Sequence, residues 1–165
     1  MSAQPALPIT TPNVWLPTRD GDPTALAIFR RHYSHKPYAD GRKPNLFVGP
    51  GAKIVLLTQN AYALFVWRKF ISGDGQEGVN CAVFRNESTQ LASILIREAT
   101  TLVWAKWPGL RLYTYINPKK LSIRKCHGRE YCPWPPGRCF LKAGWQRCGL
   151  TKWNKLIILE LSPEG

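Results

Sequence analysis

The run VNCAVFRNESTQLASILIREATTLVWAKWPGLRLYTYI, residues 79 to 116, decides how this chain folds. Val79 to Phe84 is a short apolar run of the strand type, after which the period changes. Leu91, Ile94, Leu95, Ala99, Leu102 and Val103 recur at helical spacing, and Pro108-Gly109 ends that helix. Leu110 to Ile116 is apolar and aromatic again and is reached by a short turn. A strand, a helix and a strand so connected make a right-handed crossover between parallel strands.

Outward from this unit the pattern is antiparallel. Lys53 to Thr58 and Ala61 to Phe70 are strand-like runs joined by Gln59-Asn60, and Ser72-Gly73-Asp74-Gly75 supplies turn residues before Val79, so a meander leads into the crossover. Further upstream, Asp22 is a candidate N-cap and Pro23 a first helical residue. Apolar positions 26, 29 and 33 extend that helix to about Tyr33. Residues 1 to 23, with five prolines, read as an extended arm that packs on the body, and Ser34 to Pro50 as a long basic loop. Downstream come a Pro- and Arg-rich insertion over 117 to 136, a short helix from about Arg138 to Ala143, and closing strands over 145 to 150 and 156 to 161. The expected class is α+β (mixed α/β): a single domain over 24 to 165 whose central, mostly antiparallel sheet carries one β-α-β crossover and a few helices.

Composition restricts the partner. With 23 Lys plus Arg against 10 Asp plus Glu in 165 residues, the chain carries a formal charge of +13, which points to a polyanion. Most of the excess lies between Asn117 and Lys155, where ten basic residues stand against Glu130 alone. Seven Trp and six Tyr provide flat faces on which bases stack, each such contact contributing about 1 to 3 kcal/mol. Trp67 and Trp104 sit in apolar runs and read as core, whereas Trp134 and Trp153 lie among Pro, Arg and Lys and can reach a ligand. No apolar run approaches membrane-spanning length and residues 1 to 12 lack a signal pattern, so a soluble, unsecreted protein is expected. The five cysteines form no C-x-x-C pair, which argues against structural disulfides. Cys126, His127, Cys132 and Cys139 are four possible zinc ligands, but their spacing matches no usual finger, and no metal site is assigned.

The order of elements is similar to that of the acyl-CoA N-acyltransferase (GNAT) superfamily, and two places sharpen the resemblance. Residues 139 to 151 look like its short helix followed by a Gly-aromatic strand and a second Gly, here Gly144-Trp145 and Gly149. Phe84-Arg85-Asn86-Glu87, Leu95-Ile96-Arg97-Glu98-Ala99 and the run Pro136 to Gly144 resemble the phage Mom-like DNA-hypermodification branch. The match covers roughly residues 54 to 161. One departure stands out: the superfamily turn that approaches a pyrophosphate carries glycines, and here Arg85 to Gln90 has none.

The resemblance implies a GNAT-like, phage-encoded N-acyltransferase, an acetyltransferase using acetyl-CoA or another acyl-CoA and modifying bases in DNA in the cytoplasm of an infected bacterium. Either an amine on a thymine-derived base is acetylated or adenine is altered directly. It places the cofactor on Phe84, Arg85, Asn86, Glu87, Ser88 and Thr89, where Ser88 and Thr89 can cap the following helix, and on Asn117, Cys139 and Phe140. Acyl transfer to an amine needs a base, donors to the thioester carbonyl and an acid for the leaving thiolate. His32, Tyr33 and Ser34 at the end of the first helix and Tyr115 on the strand after the crossover are the candidates. Arg30, Arg31, Lys36 and Arg42, with Lys119, Lys120, Arg124, Lys125, Arg129, Trp134 and Arg138, are the expected DNA contacts. A different class competes: a non-catalytic, basic nucleic-acid-binding module on the same scaffold, with or without zinc. The missing glycines suit that reading.

Overall fold

The protein is described by a computed structural model covering residues 14–32, 35, 39–120, 124–126, 129–131 and 136–163. A seven-stranded sheet forms the body. In chain order its strands are β1 (Trp15–Thr18), β2 (Ala52–Thr58), β3 (Ala63–Lys69), β4 (Val79–Asn86), β5 (Leu112–Ile116), and the two closing strands, Gln146–Leu150 and Ile157–Leu161. Between β5 and the closing strands lies a separate two-stranded ribbon, β6 (Arg124–Cys126) with β7 (Arg129–Tyr131), so the closing strands are β8 and β9. The sheet order is β1-β2-β3-β4-β5-β9-β8, antiparallel throughout except for the parallel pair β4 and β5. The mixed α+β class, the meander and the single crossover are as the sequence led us to expect.

Among the described residues three α-helices cover the sheet. α1 (Pro23–Phe29) packs Ala25 and Ile28 on Val55, Leu57, Leu64, Val66 and Val83. On the other face α2 (Ala92–Lys106) and α3 (Arg138–Lys142) close a larger core around Trp15, Phe65, Trp67 and Trp145. The period-2 alternation of β2 and β3 produces both cores at once, since Leu56, Phe65 and Trp67 point one way and Val55, Leu64 and Val66 the other. Two sheet tryptophans also anchor α2: the indole N–H of Trp15 donates to the Leu95 carbonyl at 2.8 Å and that of Trp67 to the Ala99 carbonyl at 3.1 Å. Those acceptors are one helical turn apart, so the two indoles fix the rotation of α2 over the sheet.

Asp22 caps α1 as expected, its carboxylate accepting from the Thr24 and Ala25 amides at 2.8 and 3.1 Å. The helix is shorter than its apolar spacing predicts. It ends at Phe29 because the Arg31 and His32 amides bond to carbonyls three residues back, tightening the last turn and rolling His32 inward to 8% exposure. The N-terminal arm contains a true edge strand, β1, and its Trp15 is 1% exposed. The Pro-rich composition around it concealed that strand. The insertion over 117–136 likewise holds a 3-10 turn (Pro118–Lys120) and the β6/β7 ribbon, whose charged three-residue strands have no apolar alternation to betray them. On α2, Arg97 donates to the Lys142 carbonyl at 2.8 Å, tying α2 to α3, and Glu98 accepts from the Val14 amide at 3.3 Å.

One irregularity shapes the middle of the sheet. Val66 pairs with Val83 but Trp67 pairs with Cys81, leaving Ala82 as an extra residue in β4. Such a bulge slips the alternation by one. Val79 and Cys81 face the large core, whereas Val83 faces α1 and Phe84 returns to the face of α2 and α3. The bulge also coincides with the end of the parallel pairing, which runs only from Val79↔Leu112 to Cys81↔Thr114. Beyond that point β4 continues to Asn86 and β5 to Ile116 with no pairing between them. A wedge opens in the sheet there.

Candidate functional site

The wedge is walled differently on its two faces. On the α2 and α3 side lie Phe84 and Phe140, ring centroids 6.0 Å apart and edge to face, together with Ile116. α3 can approach this closely because its N-cap is Gly137 at φ +75°, where a Cβ would lie 2.6 Å from Leu159 Cδ1 and 3.1 Å from Ile116 Cγ1. On the α1 side the alternation places Arg85, Tyr115 and the buried ring of His32.

At the wider end of the wedge stands the N-terminus of α2. Its cap is Leu91, no side chain caps it, and its first turn carries no acidic residue. Ser88 and Thr89, expected to cap it, do not. Asn86 explains why, since its Oδ1 accepts from the Ser88 amide at 2.9 Å and the Ser88 hydroxyl at 2.5 Å while its Nδ2 donates to the Gln90 carbonyl at 2.8 Å. This network closes the turn before the helix starts, and among the described residues no side chain caps the first-turn N–H groups at the positive end of the helix dipole. Thr89 is exposed on the same turn.

Glu87 binds the turn to α1. Its carboxylate accepts both Nε and an Nη of Arg31 at 2.7 Å and Nε of Arg85 at 2.6 Å, and the two guanidiniums hold it far below the carboxylate range, at about 2. Arg31, assigned to DNA, and Arg85, assigned to the cofactor, therefore share one counter-charge, with half of the Arg31 side chain still exposed. His32 lies beneath them. Burial first, then the positive charge of Arg85, pushes its pKa down to about 4, although its hydrogen bond to the Phe84 main chain acts the other way. At neutral pH this imidazole is uncharged.

Tyr115 is raised above the ordinary phenol range, chiefly by burial, and its hydroxyl donates to Asp74 Oδ1 at 2.7 Å with Ser72 Oγ at 3.2 Å. Ser72 also bonds to Asp74. Ser72 and Asp74 read in the sequence only as turn formers. Their reach to Tyr115 is a tertiary fact. Asn117 ends β5 half-buried and accepts from the Lys119 amide at 3.1 Å, an Asx turn that starts the 3-10 segment. Cys139 is half-buried on α3, with its thiol raised by burial, as an inert core cysteine should be.

Comparison with family models, curated proteins and solved structures finds no match.

The structure brings Phe84, Arg85, Asn86, Glu87, Ser88 and Thr89 with Tyr115, Asn117, Cys139 and Phe140 to the wedge and its rim, and His32 to its α1 side. Arg30 and Lys119 are exposed, Arg138 is half-buried, and Arg42 is exposed and paired with Asp40 at 2.6 Å. Tyr33, Ser34, Lys36 and Trp134 lie outside the described residues, as do the side chains of Lys120, Arg124, Lys125 and Arg129. His127 and Cys132 of the possible zinc quartet lie outside them too; among the described residues no group of His, Cys, Asp and Glu forms a metal site, and no helix is long and apolar enough to cross a membrane. The feature that the residues did not announce is the bulge at Ala82, for nothing in Cys81-Ala82-Val83 distinguishes it from a regular strand.

Proposed function

We propose that the protein is an acyl-CoA-dependent N-acyltransferase that acts on amino groups of bases in DNA. The observation that carries this reading is the wedge between β4 and β5, flanked by the uncapped N-terminus of α2. The residues present fit an acyl-CoA. A pyrophosphate suits the first turn of α2, which offers main-chain donors, the positive dipole end and no carboxylate. An extended amide-bearing arm suits the wedge, because among the described residues no strand pairs with the β5-side edge of β4 beyond Cys81, and that edge can bond an extended chain as a further strand would. Phe84, Ile116 and Phe140 cover that arm on one side. The network of Asn86, Ser88 and Gln90 shapes the turn where the superfamily pattern has glycines.

When bound, the cofactor supplies an acyl group activated as a thioester. The chain supplies position. The proton that the attacking amine loses is the one the leaving thiolate takes up, and Tyr115, whose single hydroxyl proton is donated to Asp74, orients the acceptor on the α1 side of the wedge through its free oxygen lone pair. His32 is a poor proton acceptor at a pKa of about 4, and its part is to hold the end of α1 against β4. The amine of an alkylated base, a better nucleophile than an exocyclic aromatic amine, is the favoured acceptor. A base in duplex DNA has to leave the stack to reach the wedge.

Two measurements test this. Isothermal titration with acetyl-CoA should show saturable binding, weakened by replacing Arg85 and Ser88 together with Ala while the circular dichroism spectrum is unchanged. Nucleoside mass spectrometry of DNA from cells expressing the protein alongside an amino-modified thymine should show the acylated nucleoside. A flat titration with DNA affinity intact would leave a non-catalytic nucleic-acid-binding scaffold in its place.

A further inference from the structure

A second concavity lies on the α1 side of the molecule, away from the wedge. Between α1 and the loop 39–47 is a cavity of about 660 Å3, within the size range of sites that enclose a small organic ligand. Its lining divides into two kinds of surface. Leu26, Phe29, Leu46 and Phe47 are apolar, and Arg30 and Lys43 are exposed cations, with no carboxylate among the lining residues.

The apolar part is aromatic and pre-organised. Phe29 and Phe47 stack with centroids 5.0 Å apart and planes 21° from parallel, and the His35 ring meets Phe29 edge-on at 5.3 Å. Phe47 is held from below by the buried carboxylate of Asp20, which accepts from the Phe47 and Val48 amides at 2.8 and 3.2 Å and bonds Lys53 Nζ at 3.4 Å. Leu46 is 65% exposed at this loop, an apolar side chain the core does not use.

We propose that this cavity receives one unstacked nucleotide of a DNA strand, its base continuing the stack of Phe29 and Phe47 and its phosphates lying on Arg30 and Lys43. A flat aromatic ligand with an attached negative charge is what the lining complements, and a nucleotide is the unit that carries both. The strand rather than a free nucleotide is favoured by the +13 charge of the whole chain, far more than one phosphate calls for. Arg30 of the lining is followed in the chain by Arg31 and His32, which meet Glu87 and the Phe84 main chain at the edge of the wedge. The inference rests on DNA being the polyanion bound, and it adds a base-recognition pocket to that reading.

The test uses fluorescence anisotropy of the full chain with a labelled single-stranded oligothymidylate and with a duplex, in the parent and in two variants. Ala39→Trp places an indole at the cavity wall from an exposed loop position and removes nothing from the core. Phe47→Leu keeps an apolar side chain but loses the stacking face. Each variant should weaken single-strand binding roughly tenfold, the size of one lost base–aromatic stack, and change duplex binding less than about twofold. Single-strand binding by Ala39→Trp equal to the parent would overturn the pocket and leave DNA binding standing. Failure of the parent to bind either form would overturn both. Thymidine monophosphate competing at the same concentration as the oligonucleotide would reassign the cavity to a free nucleotide. Acetyl-CoA titration of Ala39→Trp, which should match the parent, keeps the acyltransferase reading separate.

Discussion

His32 closes α1, bonds the Phe84 main chain and sits under Arg85. Its folded pKa of about 4 lies below the unfolded value of 6.5, so the folded state binds fewer protons there than the unfolded chain does. The stability it contributes is therefore complete above pH 6.5 and is lost as the pH falls towards 4. The loss should amount to about 2 to 3 kcal/mol for this buried group, read as a fall in the urea midpoint across that window. His32→Gln, which cannot titrate, should flatten that part of the curve, and equal slopes in parent and variant would separate His32 from the effect. Glu87 acts in the same direction at lower pH, between 4.5 and about 2. At this scale the sequence offered His32 as a candidate base, and the structure gives it a depressed pKa. A histidine in a basic helix end reads as a surface base, and only the turn that buries it makes it neutral.

At the scale of elements, the segment between β5 and α3 is where sequence and structure diverge most. Its composition marked it as a basic insertion, and the structure adds the β6/β7 ribbon, hydrogen-bonded to itself and to no strand of the main sheet. A ribbon outside the main sheet can be shortened without breaking a strand pair of the body. Replacing residues 121–134 by a short Gly-Ser link should leave the thermal midpoint within about 4 °C of the parent, the shift that roughly 1 kcal/mol produces in a domain of this size. DNA affinity should fall at least about tenfold, because Arg124, Lys125 and Arg129 leave with the ribbon. A folded variant that binds DNA like the parent would move the contacts to Arg30, Lys43 and the β8/β9 turn. That turn carries Trp153, 84% exposed beside Lys152.

The molecule as a whole combines an ordinary core with an excess of 13 positive charges over 165 residues. If phosphates provide the main attraction, binding releases condensed counterions, and log K must fall linearly with log salt. Engagement of six or more phosphates should weaken duplex binding by about three orders of magnitude between 50 and 200 mM salt. A flat salt dependence would assign the charge to something other than DNA backbone. Among the described residues, ion pairs engage the carboxylates of Asp20, Asp40, Glu87 and Glu160, with Glu87 holding both Arg31 and Arg85.

The sequence by itself determined the α+β class, the meander, the crossover, the capping of α1 and the basic character, because each depends on local periodicity, turn residues or charge that the chain carries without folding. Only the tertiary structure decided the rest. The Ala82 bulge, the wedge beyond Cys81 and Thr114, the bare N-terminus of α2, the burial of His32 and the Phe29–Phe47 stack all arise where segments distant in sequence meet. Their cause is competition between surfaces: β4 must pair with β3 along its length while α1 and α3 demand opposite faces of it. One extra residue in the strand reconciles them, and no pattern within Val79 to Asn86 announces which residue it is.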